Sequence, residues 1–261
     1  MLDKISIIYN TCDKYESLWY GFFSLFNKYW PDCNNDIILN TETKSYEFKG
    51  LNIRRPDVYV SGSSWSQRLL NSLNSVETPY IVMFLDDFYL KNLVDIEKLA
   101  LCVQQMESNP GIKLFTFCWQ PGPNKEVANF PDFELRGRFA KYRINAQIGL
   151  WRVSYLKKML KTYENPWQFE INGSFRSSLF GGKIYSLKKN SPLIFDYDWG
   201  FLIVRGKLNG KIAHYFAEHE GLNMNLPFDD FKEEEYNFSK KSRLKKLTTY
   251  FSEMVFSLFR K

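Results

Sequence analysis

The hydrophobic positions change period along the chain, and the changes mark out elements. Ile5–Asn10 is an apolar run without polar alternation, as expected of a central strand covered on both faces. Tyr15, Leu18, Trp19, Phe22, Phe23, Phe26 and Trp30 then recur at three- and four-residue steps, which predicts a helix closed by Pro31. Asp36–Leu39 supplies a second apolar strand, so the chain opens as a βαβ unit with a parallel sheet. Ser64 is placed to cap a helix carrying Trp65, Leu69, Leu70, Leu73 and Val76, which Thr78-Pro79 ends. Tyr80–Leu85 reads as a buried strand that stops at Asp86-Asp87. A helix through Ile96, Leu99, Ala100, Val103 and Met106 and a strand over Ile112–Phe117 follow.

Beyond residue 118 the pattern loosens. Residues 119–145 are rich in Pro, Gly and charge and read as an insertion or irregular β segment. Ala146–Trp151 predicts a strand, Val153–Tyr163 a helix, and Asn165–Phe180 a second helix. Leu193–Phe195 and Gly200–Val204 are short strand candidates, and 219–238 reads as a polar loop. The fold class expected is α/β, a mostly parallel Rossmann-like sheet flanked by helices, with residues 1–238 as one domain. Its donor half would be about 1–118 and its acceptor half about 119–238, followed by a helical tail, 239–261.

Composition changes the picture in two places. The four cysteines (Cys12, Cys33, Cys102, Cys118) show no CxxC spacing, and no stretch approaches the roughly 20 apolar residues of a membrane span. With no signal-peptide pattern, a cytoplasmic protein with reduced thiols is the expectation. The net charge of +6 sits in the tail: residues 240–261 carry seven Lys/Arg against Glu253, leaving 28 bases and 28 acids elsewhere. That distribution argues against nucleic acid as a partner of the body. In the tail, Leu244, Leu247, Phe251, Met254, Val255 and Leu258 fall at helical spacing among basic residues, the composition of an interfacial helix on an anionic membrane. Packing of that helix back on the domain or into a homodimer is the alternative.

The candidate chemistry begins at Asp86-Asp87. Ligands of open parallel sheets bind beyond the carboxyl ends of the strands, where two adjacent carboxylates repel unless a cation or several N–H donors compensate. Mg²⁺ or Mn²⁺ bridging to a diphosphate is a natural compensator, whereas a helix cap with a solvated neighbour is the plain structural explanation. The set formed by Tyr9–Tyr15, Trp30-Pro31-Asp32, Ser64–Leu73, Thr78–Phe88, Trp151-Arg152 and Asn165–Glu170 resembles GT-A glycosyltransferases, in particular bacterial enzymes building capsule, O-antigen and related surface polysaccharides.

The resemblance implies transfer of a sugar from a nucleotide-diphosphate donor, with UDP the nucleotide expected, to a saccharide or lipid-linked saccharide acceptor. The enzyme would work at the inner face of the cell membrane. It implies that Thr11, Asp13 and Tyr15 line the nucleotide, that Arg68 sits near the diphosphate or ribose, and that Asp86 contacts the sugar or ribose. Asp87 would be the direct metal ligand, with Leu85 standing where the family's acidic motif has its first carboxylate. Glu170, in an aromatic setting, is the candidate base of an inverting transfer, with Asp132, Asp196 and Asp198 as rivals. Trp151 and Trp167 are candidate acceptor contacts. Arg205, Lys207 and Lys211 are placed to clamp a departing diphosphate, and His214 or His219 to add a metal ligand. A nucleotidyltransferase acting on sugar phosphates and a non-catalytic carbohydrate-binding module are the competing functions. The first of these would be expected to carry a glycine-rich phosphate loop, which Asn10–Tyr15 lacks.

Overall fold

The computed structural model describes residues 1–197, 201–232 and 257. The basic tail expected over 239–261 therefore lies, apart from Ser257, outside the described residues, as does Asp198. A nine-stranded sheet organises the rest, in the order β3-β2-β1-β4-β8-β5-β9-β7-β6. Strands β1 (Ile5–Asn10), β2 (Asp36–Asn40), β3 (Asn52–Arg54) and β4 (Tyr80–Leu85) run parallel. Strand β8 (Gly149–Arg152) inserts antiparallel between β4 and β5 (Ile112–Trp119), and β9 (Lys183–Leu187) is again parallel to β5. Strands β6 (Asn124–Glu126) and β7 (Phe133–Arg136) form an antiparallel hairpin on the far edge.

Both faces are covered, which is why the central strands read as unbroken apolar runs. Helices α1 (Glu16–Tyr29), α3 (Ile96–Ser108) and α6 (Gly210–Glu220) pack on Ile5, Ile7, Tyr9, Tyr80, Val82 and Phe84. Helices α2 (Trp65–Asn74), α4 (Val153–Met159) and α5 (Pro166–Phe180) pack on Ile8, Ile81 and Met83 on the other side. Local chemistry fixes the helix starts. Ser64 Oγ accepts the Gln67 N–H at 3.0 Å, Asp95 Oδ1 accepts that of Lys98 at 2.9 Å, and Asn165 with Gln168 forms a reciprocal capping box opening α5.

The second half corrects the sequence reading in several places. The segment 119–145 contributes a sheet-edge hairpin, the β alternative of the two expected for it, and β9 was not anticipated because Lys183 and Ser186 interrupt its apolar pattern. Leu193–Phe195 is not a strand: Ile194 and Phe195 are buried as irregular chain, and the adjacent Tyr197 bridges Leu90. Ile203–Val204 (β10) and Lys207–Leu208 (β11) form a small separate hairpin.

Candidate active site

The strand order reverses between β1 and β4, which opens a crevice beyond their carboxyl ends. In the parallel register Asn10 stands opposite Leu85, so Thr11 and Asp86, the next residue of each strand, are brought together across the crevice. Thr11 Oγ1 donates to Asp86 Oδ2 at 3.1 Å and accepts from Trp19 Nε1 at 3.0 Å. The Thr11 hydroxyl is thus spent on orienting Asp86, a role different from the nucleotide contact expected of it.

Asp86 and Asp87 lie side by side, and among the described residues neither enters an ion pair. Desolvation raises the pKa of Asp86 against the help of the Thr11 hydrogen bond. Asp87 is raised by desolvation and by the neighbouring Asp86, with the Ile203 backbone opposing. The β10–β11 hairpin therefore lies against the acidic pair. Its turn residues Arg205 and Gly206 both take positive φ, at 52° and 78°, and the Tyr15 hydroxyl comes close to Gly206. Tyr15 also packs on Phe228, ring centroids 5.6 Å apart, so it joins the donor-side loop to this hairpin. Arg205 and Lys207 ride on the hairpin above Asp87 and both make further contacts.

Asp13 departs from its expected role as a nucleotide contact. Burial opposes its ionisation, but Thr41 Oγ1 at 2.6 Å, Thr43 Oγ1 at 2.5 Å and two backbone N–H groups outweigh that and pull its pKa down to about 2. It clamps the loop after β2 to the loop after β1. That clamp carries Glu42, which the sequence reading missed: its carboxylate pairs with Arg68 and accepts the Asp13 N–H at 2.6 Å. The signal was available, since Glu42 follows the carboxyl end of β2 as Asp86 follows β4. Arg68 reaches from α2 toward Cys12 and Asp13, with burial lowering its pKa.

Glu170 sits on the first turns of α5 and accepts the Ala146 N–H at 2.9 Å. Burial raises its pKa, against that hydrogen bond. Two further residues unread in the sequence, Tyr197 and Gln147, pair beside the Ala146 that Glu170 holds. The Tyr197 phenol feels both Cys118 and Asp87 and donates to Gln147 Oε1 at 2.7 Å, one residue from Ala146; the Cys118 thiol in turn feels Glu170. The rival bases are engaged elsewhere. Asp132 pairs with Lys98 at 2.8 Å, and the Asp196 carboxylate accepts from Asn92.

Other expectations fail on burial or placement. Trp151 is 0% exposed, packed against Phe169 in the core, and has no face to offer an acceptor, whereas Trp167 is 71% exposed. His214 engages Glu218 and His219 the Tyr215 carbonyl, both on exposed turns of α6, so neither joins the acidic pair. Among the described residues no group of three or more His, Cys, Asp or Glu could hold a metal ion. Asp86 and Asp87 nevertheless suit a hard divalent cation: they are adjacent, half-buried carboxylates in no ion pair among the described residues, and such cations take carboxylate oxygens together with phosphate and water.

Among solved structures, S. aureus TarS, a bacterial cell-wall glycosyltransferase, matches with a TM-score of 0.50 at 11% identity over 95% of this chain and 47% of that one. This is a GT-A-like fold. The chain spans about half the length of the full TarS chain, 47%. TarS residues 1–349 in complex with UDP match at a TM-score of 0.49 and 9% identity, over 95% of this chain and 78% of that chain. A cytidylyltransferase from Leptospira borgpetersenii serovar Hardjo-bovis matches at 0.44 and 13% identity, over 86% of this chain and 98% of that chain. No family model and no curated protein matches the sequence. At these identities the likeness is one of fold. In that GT-A-like frame the acidic pair occupies the crevice where the strand order reverses.

Proposed function

We propose that the chain is a metal-dependent glycosyltransferase that moves a sugar from a nucleotide-diphosphate donor, with UDP the nucleotide, to a saccharide acceptor. The observation that carries this reading is the pair of half-buried carboxylates, Asp86-Asp87, at the β1/β4 switch point, in no ion pair among the described residues and raised in pKa by desolvation, with the desolvated Glu170 as the candidate base. Asp87 and Asp86 would hold Mg²⁺ or Mn²⁺, which supplies charge neutralisation for the donor diphosphate. Thr11 keeps Asp86 turned toward that position, and the Asp13–Thr41–Thr43 clamp fixes the wall that carries Glu42 and Arg68. Arg205 and Lys207, on the hairpin over Asp87, add positive charge where the leaving diphosphate gathers its negative charge.

Glu170 takes the proton of the acceptor hydroxyl as that oxygen bonds to the anomeric carbon. The bond from that carbon to the diphosphate oxygen breaks on the opposite face, so the anomeric configuration inverts. A basic site needs a carboxylate that ionises near the working pH, and burial moves Glu170 in that direction. The acceptor is proposed to be lipid-linked and the product part of a bacterial surface polysaccharide such as capsule or O-antigen. A nucleotidyltransferase is less well supported, because β1 leads into a 3-10 turn, Asp13–Tyr15, that contains no glycine to cradle a triphosphate.

Calorimetric titration of UDP into the protein tests the reading directly. Binding is expected with Mn²⁺ or Mg²⁺ present and at least tenfold weaker in EDTA or in Asp87→Asn. Equal affinity in all three conditions would overturn the metal-bridged donor site.

A further inference from the structure

We propose that a second site, separate from the acidic pair, binds a phosphoryl anion in a basic cavity between strand β7, next to the sheet edge, and the carboxyl end of α5. The cavity, about 420 Å³, is lined by Lys125, Arg136, Arg138, Arg143 and Lys183, by apolar Leu135, Leu179 and Phe180, and by no acidic residue. Cations elsewhere in the described chain are commonly paired, as in Lys28–Glu220, Arg68–Glu42, Lys98–Asp132 and Arg176–Glu164. Among the described residues none of the five here is in an ion pair. The charge-balanced body, with 28 bases and 28 acids outside the tail, has therefore collected unpaired positive charge in one concavity.

The buried pair shows that this is more than a surface cluster. Arg136 and Arg143 are 3% and 4% exposed, and desolvation pulls the pKa of both down. Each leaves its Nε without a partner while its Nη atoms hold backbone carbonyls. Glu134, the acid nearest Arg136, takes a hydrogen bond from Asn124 at 2.9 Å. Part of the charge answers the end of α5, since Arg143 and Arg138 cap the Ser177 and Ser178 carbonyls. A helix terminus offers only about half a negative charge, however, against five cations. The Arg138 Nη atoms and the two exposed ammoniums of Lys125 and Lys183 remain to meet a ligand. At Gly181, which has a φ of 70°, a Cβ would meet nothing within 4 Å, so the chain leaves open space on that wall. Arginine forks beside lysine point charges suit phosphoryl oxygens, and Leu179 with the half-exposed Phe180 suits an apolar or sugar-like body attached to them.

The cavity is not the donor site. Lys183 opens β9, three strand positions from β4 and at the end of the sheet opposite Asp86, which corresponds to about 25 Å from the strand spacing and rise. The assignment rests on no part of the proposed transfer reaction. The test uses the full chain in EDTA, so that no divalent cation recruits phosphate to Asp86-Asp87. Two probes are inorganic pyrophosphate, followed by calorimetry, and phosphatidylglycerol vesicles against phosphatidylcholine vesicles, followed by sedimentation. Binding by the native chain should weaken at least tenfold in Arg138→Gln/Lys183→Gln and remain unchanged in the charge-matched control Lys49→Gln/Lys232→Gln. Pyrophosphate binding lost in the variant would identify a soluble phosphoanion; vesicle binding counts for a lipid headgroup only as far as the variant lowers it, since the basic tail is the same in both chains. If Arg138→Gln loosens α5, Lys125→Gln/Lys183→Gln carries the same test through two exposed side chains. Absence of binding to either probe, or equal loss in the control, would overturn the proposal.

Discussion

Asp87 shows how a side chain serving a ligand differs from one serving the fold. Burial and the adjacent Asp86 raise its pKa, so the folded chain keeps a proton on the acidic pair at pH values where the unfolded chain has released it. Stability therefore declines as pH rises through the window between the ordinary value of 3.8 and the raised ones. Asp87→Asn removes the charge that burial penalises. In EDTA at neutral pH this variant should melt no lower than the native chain, while its transfer activity is lost; a clear fall in Tm would show Asp87 to be a structural residue. Glu170 carries the complementary prediction. Glu170→Gln keeps an oxygen for the Ala146 N–H and should lower kcat by about 10²–10⁴-fold with UDP affinity unchanged. The acidic limb of the native pH–rate profile should lie above the ordinary 4.5, because only ionised Glu170 accepts a proton. A variant that keeps most of its rate would move the base elsewhere.

At the scale of elements, α5 determines where Glu170 stands. Its start is fixed by the Asn165 capping box and its body by a buried pair in which Arg176 meets Glu164 at 2.7 and 2.5 Å, with Asn172 donating to the same carboxylate at 3.0 Å. Glu164→Ala leaves the Arg176 charge buried without its partner and should cost about 3–5 kcal/mol in chemical denaturation. Asn165→Ala removes only a cap, worth about 1 kcal/mol, or a Tm lower by about 2–4 °C for a domain of this size. Both costs should exceed that of Trp167→Ala, whose side chain is 71% exposed. If the order is reversed, the anchor of α5 has been misread. The Ser64 cap and this helix were legible in the sequence because their signals act over a few residues, as the Asp95 and Asn165 caps also do. Strands β3 and β9 were not, since they are held by neighbours distant in sequence.

For the whole molecule, the charge map separates a balanced body from a basic tail. Among the described residues no helix is long and apolar enough to cross a membrane. Truncation after Ser239 tests the membrane role proposed for the tail. The shortened chain should fold and bind UDP, yet lose binding to anionic vesicles that in the full chain weakens with salt, exposed charges being screened over about 10 Å at 0.1 M. Unfolding of the truncated chain, or unchanged vesicle binding, would assign the tail another role and leave the basic cavity as the remaining candidate for contact with anions.

The sequence alone determined the alternation of strands and helices through β5, apart from β3, the Ser64 cap and the position of Asp86-Asp87 at a strand end. Each of these depends on hydrophobic period or on contacts a few residues apart. Tertiary structure decided what the remaining polar groups do. Thr11 turned from a ligand contact into the partner of Asp86 because Asn10 and Leu85 stand in register across two strands. Asp13 became the clamp of the Glu42 loop, and Trp151, aromatic and near the expected acceptor side, was drawn into the core by Phe169. Five scattered cations from Lys125 to Lys183 became one cavity only when the β6–β7 hairpin folded against the end of α5. Such assignments depend on which groups compete for the same hydrogen bonds and the same buried space, and distant stretches of chain meet to compete only in the folded molecule.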